Sequence, residues 1–167
     1  MPHFPNLPFM SITVYLPPVA ADASLSYTKR IFLAGSIEMG KAVDWQDALV
    51  AHCRSLFPDE NICFYNPRRI DWDSSWEQKI DNPEFYGQVT WELDQLERAT
   101  DIIFYFQPGT MSPISLLELG LHARDKKLFV ICPEGFWRKG NVDIVCERYG
   151  IKQFASVEEA LEEIAGC

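Results

Sequence analysis

Short apolar runs alternate with segments of helical periodicity from about residue 29 to the end of the chain. Five runs have the length and composition of buried strands: Arg30–Ala34, Ile62–Tyr65, Asp101–Phe106, Leu128–Cys132 and Ile151–Phe154. Helical spacing covers Asp44–Phe57, Pro83 to about Arg98, Ser112 to about Arg124, Val142–Tyr149, and a last segment that begins at the Ser156/Glu159 capping box. The alternation predicts an α/β fold: a doubly wound, five-stranded parallel sheet in the order 2-1-3-4-5, with helices on both faces.

The first 28 residues do not show this alternation of strand and helix patterns. They hold five of the eleven prolines and show no periodic pattern. We therefore expect an irregular lead-in over residues 1–28, followed by one α/β domain over residues 29–167. Ser11–Leu16 is the exception, because it could form a short extra strand.

Composition narrows the classes of function. The chain has 15 Lys and Arg against 24 Asp and Glu, a net charge of −9, which disfavours binding to nucleic acid but allows a small phosphorylated ligand. Five cysteines without a C-x-x-C pair, and three histidines without zinc spacing, predict a reduced, cytoplasmic protein with no metal site. The apolar runs are too short to span a bilayer, and no signal-peptide pattern is present, so we expect no membrane partner.

In a doubly wound sheet, ligands bind where the loops after the first and third predicted strands diverge. Those loops are Ala34–Ala42 and Gln107–Pro113, and small residues occupy them at Gly35, Ser36 and Gly109. Backbone N–H groups in such a turn could hold an anion or sugar hydroxyls, although a plain connecting turn has the same composition.

The first of these loops lacks the known nucleotide-binding motifs. Gly35, Gly40 and Lys41 have Walker spacing, but Ala42 replaces the Ser or Thr that would hold magnesium. The dinucleotide pattern G-x-G-x-x-G is absent, and Glu38 would repel a bound phosphate.

Glu118 is the first candidate catalytic residue. It is the one carboxylate in the run from Met111 to Ala123, on a helix that begins at the expected site. A fixed, partly desolvated carboxylate there could attack an oxocarbenium-like carbon. The alternative is that Glu118 belongs to a solvated polar stripe at helical spacing, with Ser115, His122 and Asp125.

Asp94 is the second candidate, because Asp is a poor helix former inside a predicted helix. It could bind the leaving base or pass it a proton, and two carboxyl groups with different pKa values would then divide the roles of acid and nucleophile. Its neighbours Glu92, Glu97 and Arg98 also suit a solvated helix face.

The segment after the second predicted strand, residues 66–73, could accommodate a planar heterocycle. Trp72 could stack on it, Asp71 could accept its hydrogens and Arg68 could donate to it. A charged surface loop with internal ion pairs is the alternative.

Three stretches resemble the nucleoside 2-deoxyribosyltransferase family: Arg30–Ile37, Trp91–Asp101 and Glu118-Leu-Gly120. The resemblance covers roughly residues 29–155. Gly35-Ser36 with Asn66-Pro-Arg-Arg and Asp71-Trp-Asp look like the transferase-like branch of that family.

The resemblance implies a flavodoxin-like sheet and exchange or hydrolysis at the N-glycosidic bond of a (deoxy)nucleoside or nucleotide, without a cofactor. By position, Glu118 matches the family nucleophile and Asp94 matches the carboxylate that assists the leaving base. Asn141 matches an asparagine that a neighbouring subunit lends to the sugar, with Asp143 as the alternative, so the family implies a homo-oligomer.

The chain also departs from the transferases. Ser112 stands where they carry an aspartate and, like Ser36, looks more like related nucleoside 5′-monophosphate hydrolases, in which a serine contacts phosphate. Those enzymes place an arginine where this chain has Glu38, and Phe32 or a neighbour replaces the tyrosine that steadies the nucleophile.

The leading hypothesis is therefore a glycosyltransferase or N-glycoside hydrolase with Glu118 and Asp94 as catalytic residues. Its expected substrate-binding residues are Gly35, Ser36, Asn66, Arg68, Asp71, Trp72, Gly109, Ser112 and Asn141. A non-catalytic module that binds a nucleotide-like ligand is the alternative. A flavin carrier is a weaker one, because the Ser/Thr-rich phosphate loop is missing.

Overall fold

The computed structural model describes residues 11–37 and 42–166, which form six strands and five helices. The strands are β1 (Ile12–Tyr15), β2 (Lys29–Gly35), β3 (Ile62–Tyr65), β4 (Asp101–Tyr105), β5 (Leu128–Ile131) and β6 (Lys152–Gln153). The helices are α1 (Trp45–Leu56), α2 (Pro83–Arg98), α3 (Pro113–His122), α4 (Lys139–Tyr149) and α5 (Val157–Ala165). Within this described part of the chain, no helix combines the length and the apolar run that crossing a bilayer needs.

The sheet is parallel throughout and has six strands in the order β1-β3-β2-β4-β5-β6, not the five that the sequence pattern predicts. The added strand is β1, which pairs with β3 from Ile12 opposite Ile62 to Tyr15 opposite Tyr65. The other five strands have the predicted 2-1-3-4-5 arrangement. Ile12–Tyr15 is thus the short extra strand that Ser11–Leu16 could form, while residues 1–10 lie outside the described part.

The connection from β1 to β2 packs along α2. The Val19 carbonyl accepts a hydrogen bond from Trp91 Nε1 at 2.8 Å. The hydroxyls of Tyr15 and Tyr27 lie 2.8 Å apart, and the Tyr27 ring packs against the core on that side of the sheet. These contacts hold the N-terminal segment on the face that carries α2.

Alternating strand residues divide the core into two layers, as the two-residue period of a strand requires. Ile31 and Leu33 of β2 pack with α1 and α5, whereas Phe32 and Ala34 pack with α2, α3 and α4. Four buried cysteines of the described residues have free thiols: Cys53, Cys63, Cys132 and Cys146.

Side chains fix several helix ends. Asn82 caps α2, and Ser156 caps α5 through the predicted box, in which the Glu159 carboxylate also binds the N–H of Ala155. Lys127 Nζ donates to the carbonyls of Leu96, Glu97 and Ala99, where a cation stabilises the C-terminus of α2.

β2 and β4 lie side by side at the centre of the sheet, and the chain leaves them toward opposite faces. Gly35 ends β2 with φ +139°, and a Cβ built on it would lie 2.2 Å from the Tyr105 carbonyl oxygen. The next residue, Ser36, donates its N–H to that carbonyl at 2.9 Å. The close approach therefore requires glycine at the predicted ligand-binding crevice.

Replacing Gly35 by Ala should lower the free energy of unfolding by more than about 2 kcal/mol, because the methyl group would collide with fixed backbone. Urea denaturation measures the change. Gly87→Ala on α2 is the control, because nothing lies within 4 Å of its added Cβ. There we expect a gain of about 0.5–1 kcal/mol from helix propensity. Equal stability of Gly35→Ala and the parent would contradict this account.

Candidate functional site

A cluster of hydroxyl groups joins the two loops of the crevice. Ser36 Oγ lies 2.7 Å from both Thr110 Oγ1 and Ser112 Oγ, and it accepts the Gln107 N–H at 2.9 Å. Ser36 is fully buried and Ser112 nearly so. The two serines that the sequence points to as ligand contacts therefore also hold the loops after β2 and β4 together.

Two residues of the loop after β4 have positive φ angles. Gly109 has φ +78°, which glycine tolerates, whereas Ser112 has φ +45° immediately before Pro113 opens α3. A non-glycine residue in the left-handed region costs about 1–3 kcal/mol unless its surroundings hold it there. The hydroxyl bonds of Ser112 offset that cost and fix the direction in which α3 leaves the sheet.

α3 has an inverted distribution of polar and apolar side chains. Its buried positions include Ser115, Glu118 and His122, and Glu118 is only 7% exposed. Its outer positions, Ile114, Leu117 and Leu121, are 57–60% exposed. The stripe of Ser115, Glu118 and His122 thus faces inward, so the alternative in which Glu118 is simply solvated is wrong.

Burial raises the pKa of Glu118 well above its ordinary value, and the charge of Glu92 on α2 raises it further. The pKa of Glu92 itself is raised to about 7, mainly because its carboxyl is also desolvated. A hydrogen bond of 2.6 Å from Gln88 Nε2 to Glu92 Oε1 opposes that rise. α2 and α3 therefore bring two carboxyl groups within electrostatic reach of each other, with Glu118 buried and Glu92 half-buried.

Asp94 does not join this pair. Its side chain is exposed on α2, whereas Gln88, Trp91 and Gln95 lie on the buried face of that helix. The apolar spacing of Trp91, Leu96 and Ala99 already places position 92 beside the core. Sequence reasoning treated Glu92 only as a solvated neighbour of Asp94, because it weighed residue type above helical phase.

The loop after β3 is held by Arg68. Its Nε donates to Gln46 Oε1 at 2.9 Å, and its Nη2 donates to the carbonyls of Ala42 and Val43 at 3.1 and 2.9 Å. Asn66 is buried and accepts the Arg68 N–H at 3.0 Å. Arg68 thus anchors the chain where it enters α1, and its Nε and Nη2 groups are occupied by protein acceptors.

Asp71 and Trp72 lie farther along this loop. Asp71 contacts Arg69, and Trp72 contacts Trp76. Asp71 is exposed, and its hydrogen bond with Arg69 at 2.7 Å lowers the pKa of the carboxyl. Trp72 packs edge-on against Trp76 at 5.3 Å, and the Arg69 guanidinium covers the Trp76 ring at 4.5 Å. This arrangement matches the ion-paired surface loop that was the alternative for residues 66–73.

Asn141 lies on the other side of α3 from Glu118. It is exposed on α4 and lines a groove of about 300 Å³ with Arg138 and Gly120. Helix positions advance by about 100° per residue, so Gly120 points about 160° away from Glu118. Asp143, the alternative to Asn141, forms an ion pair with Lys139 at 3.2 Å.

The remaining expectations concern metal ligands and the loop after Ser36. Across residues 11–37 and 42–166, no three His, Cys, Asp or Glu side chains gather as a metal site would require. Glu38, Gly40 and Lys41 lie outside the described residues, so neither the incomplete Walker spacing nor the repulsion expected from Glu38 is tested.

Two of three comparisons with known proteins find a match. A family model described as "Nucleoside 2-deoxyribosyltransferase like" matches residues 28–136. A crystal structure of a conserved protein from Enterococcus faecalis V583 aligns with a TM-score of 0.56 over 83% of this chain and 97% of that one, at 14% identity. At that identity the likeness shows the fold alone. Among curated proteins, no match to this chain is found.

The buried carboxyl groups predict a distinctive dependence of stability on pH. Because the pKa of Glu92 rises from 4.5 to about 7 on folding, the folded chain binds more protons than the unfolded chain between these values. The stabilising contribution is complete below pH 4.5 and is lost as the pH rises through about 7. The raised pKa of Glu118 adds a contribution of the same sign.

Glu92→Gln should therefore be more stable than the parent at pH 8, by on the order of 1–3 kcal/mol, and should show a weaker pH dependence. Chemical denaturation at pH 5, 6.5 and 8 measures this. Asp94→Asn is the exposed control and should leave the pH profile unchanged. The same slope in Glu92→Gln and the parent would show that Glu92 is not desolvated.

Proposed function

Because the chain belongs to the nucleoside 2-deoxyribosyltransferase-like family, we propose that it cleaves or transfers at the N-glycosidic bond of a (deoxy)nucleoside or nucleotide through Glu118. The single observation that carries this proposal is the inverted helix α3, which buries a carboxyl group beside a second one. A core gains nothing in stability from such a pair, and perturbed carboxyl pairs are typical of acid and nucleophile assignments.

In the proposed reaction, a Glu118 carboxylate oxygen forms a bond to C1′ of the sugar while the C1′–N bond breaks. The bonding electron pair leaves with the base nitrogen, and Glu92 supplies the proton that neutralises the base. A second base or a water molecule then attacks C1′, loses a proton to Glu92, and releases Glu118 as a carboxylate. The cycle uses no metal and no cofactor.

This chemistry requires one proton on the pair of carboxyl groups. With two protons there is no nucleophile, and with none there is no acid for the base. Burial raises the pKa of both carboxyl groups, and in the reactive complex the one proton must lie on Glu92 so that Glu118 is ionised. At low pH both carboxyl groups carry a proton and no nucleophile is left, so kcat/KM should fall on the acid side of the pH profile.

We assign the crevice at Gly35, Ser36, Gly109 and Ser112 to the sugar or its 5′ substituent. The hydroxyl cluster supports this assignment because it fixes the two loops at the carboxyl ends of β2 and β4, where such sheets bind ligands. In this proposal Asn66 and Arg68 shape the wall toward the base. Asp71 and Trp72 would have to leave their present partners to reach it.

The second candidate function is binding of a nucleoside-like ligand without any reaction. The observation that favours it is the raised pKa of Glu118, because a Glu118 that keeps its proton cannot attack C1′. In that case a nucleoside-like ligand would bind in the crevice and leave unchanged.

Glu118→Gln should lose at least about 10³-fold in kcat, because the amide is not a nucleophile. Glu92→Gln should lose about 10²–10⁴-fold through loss of acid catalysis. Asp94→Asn, on the exposed face of α2, is the matched control and should retain most activity. A panel of nucleosides and their 5′-monophosphates, with chromatographic detection of free or exchanged base, supplies the measurement.

Undiminished turnover in Glu118→Gln would remove the proposed nucleophile. Tight binding of a panel compound that mass spectrometry recovers unchanged, with no product from the parent protein, would favour the binding module instead.

We also propose that the chain forms a homo-oligomer through the outer faces of α2 and α3. Tyr86, Val89 and Leu93 are exposed at helical spacing on α2, and Ile114, Leu117 and Leu121 are exposed likewise on α3. Exposed apolar side chains that repeat along one helix face are typical of an interaction site on soluble proteins. The groove that Asn141 lines adjoins this surface, so a neighbouring copy could offer its Asn141 to the sugar.

Leu117→Glu should shift the protein toward the monomer, because two copies would bury like charges against apolar surface. Sedimentation velocity at several protein concentrations measures the shift. Leu25→Glu, exposed on the connection between β1 and β2, is the control and should not change the assembly. A parent protein that is monomeric at every concentration would overturn the oligomer proposal.

A further inference from the structure

Gln88 connects the carboxyl pair to the loop after β3. It lies on the buried face of α2 and is 4% exposed. Its Nε2 donates to Glu92 Oε1 at 2.6 Å and to the Pro67 carbonyl oxygen at 3.3 Å. The two N–H bonds of one amide group thus serve two acceptors on different elements.

These acceptors fix the orientation of the amide. A backbone carbonyl can only accept a hydrogen bond, so the Pro67 oxygen requires the nitrogen of Gln88 on its side. Reversing the amide would bring Gln88 Oε1 against the oxygens of both Pro67 and Glu92. Gln88 Oε1 is buried without a partner among the described residues, and the amide keeps its orientation despite the cost of about 1–3 kcal/mol for an unmade bond.

Glu92 therefore has two unlike oxygens. Oε1 faces an N–H donor and must act as an acceptor whether or not the carboxyl is protonated, so a proton on Glu92 belongs on Oε2. The charged group that interacts with Glu92 from a neighbouring element is Glu118 on α3. Phe32 and Ala34, on the same side of β2, are apolar, and the loop after β3 contributes the neutral Pro67 carbonyl.

We propose that Gln88 is a positioning residue that confines the acidic proton of Glu92 to Oε2 and so directs it toward the leaving base. This inference rests on the proposed function for its catalytic meaning, but the proton position itself does not. During bond cleavage the proton passes from Oε2 to the base nitrogen, and Glu92 becomes a carboxylate whose Oε1 is still held by Gln88. The same amide links that carboxyl to the loop that carries Asn66 and Arg68.

Gln88→Met tests the proposal, because it keeps the length of the side chain and removes the donor. Losing an N–H bond to the carboxylate raises the pKa of Glu92, so the acid limb of the kcat/KM profile should move up by about 0.5–1 pH unit. We expect kcat to fall about tenfold with little change in KM. Gln88→Glu adds a carboxyl group instead of a donor and should move the acid limb further in the same direction.

Gln95→Met is the matched control. Gln95 is 2% exposed on the same face of α2 and also has a buried Oε1 without a partner, but no hydrogen bond to Glu92 is found. It should leave the acid limb in place, even if it lowers stability. Equal pH profiles for Gln88→Met and the parent, or equal shifts in Gln88→Met and Gln95→Met, would overturn the positioning role.

A second readout does not depend on activity. In protein labelled with ¹³C at the glutamate carboxyl groups, Glu92→Gln assigns the Glu92 resonance, and its titration midpoint should rise in Gln88→Met but not in Gln95→Met. An unchanged midpoint refutes the hydrogen-bond argument. Should Glu118→Gln remain active while the midpoint still moves, the proposed function fails and the Gln88–Glu92 geometry stands.

Discussion

Desolvation of Glu118 is the constraint on which the rest of the site depends. A carboxyl group that is only 7% exposed has lost most of the water that would solvate its charged form. Such a group must be neutral, pair with another group, or take part in binding or catalysis. Here the charge of Glu92 disfavours the charged form of Glu118 further and raises its pKa. The crevice residues fix the backbone around this site. Ser36 joins the loops after β2 and β4 by hydrogen bonds, and Gly35 allows β2 to approach the Tyr105 backbone closely.

The inverted polarity of α3 connects the chemistry to the surface. A helix whose polar residues face the core must place its apolar residues outside, so the catalytic proposal and the assembly proposal arise from one sequence pattern. The loop after β3 contributes differently, because Arg68 secures the start of α1 and Pro67 offers a carbonyl to Gln88. Residues of that loop therefore act on the site largely through their neighbours.

Sequence patterns predicted most of the architecture. The five predicted runs correspond to β2 through β6. The signal is simple for β2 to β5, which are largely buried, whereas both residues of β6 are exposed. β1 was weighed only as an alternative, because a four-residue edge strand followed by two prolines carries little pattern. α4 begins at Lys139, one turn before the expected Val142, since Lys139, Gly140 and Asn141 are polar or small.

Site prediction went less far, for a physical reason. Glu118 could be located because its helix begins at the strand ends, but its burial depends on α2, which is distant in sequence. Asp94 was selected for its residue type, and the phase of α2 instead places Glu92 beside Glu118. The hydrogen bonds from Gln88 to Pro67 and from Arg68 to Gln46 join residues 21 and 22 positions apart and leave no local signal.

β1 also has a consequence for solubility. The family match begins at residue 28, so this strand lies outside the matched region and covers a side of β3 that would otherwise expose unpaired N–H and C=O groups. Such an open edge is a template for joining sheets of different molecules into aggregates. β1 replaces it with an edge of four residues, directly followed by Leu16 and two prolines that cannot donate to a further strand.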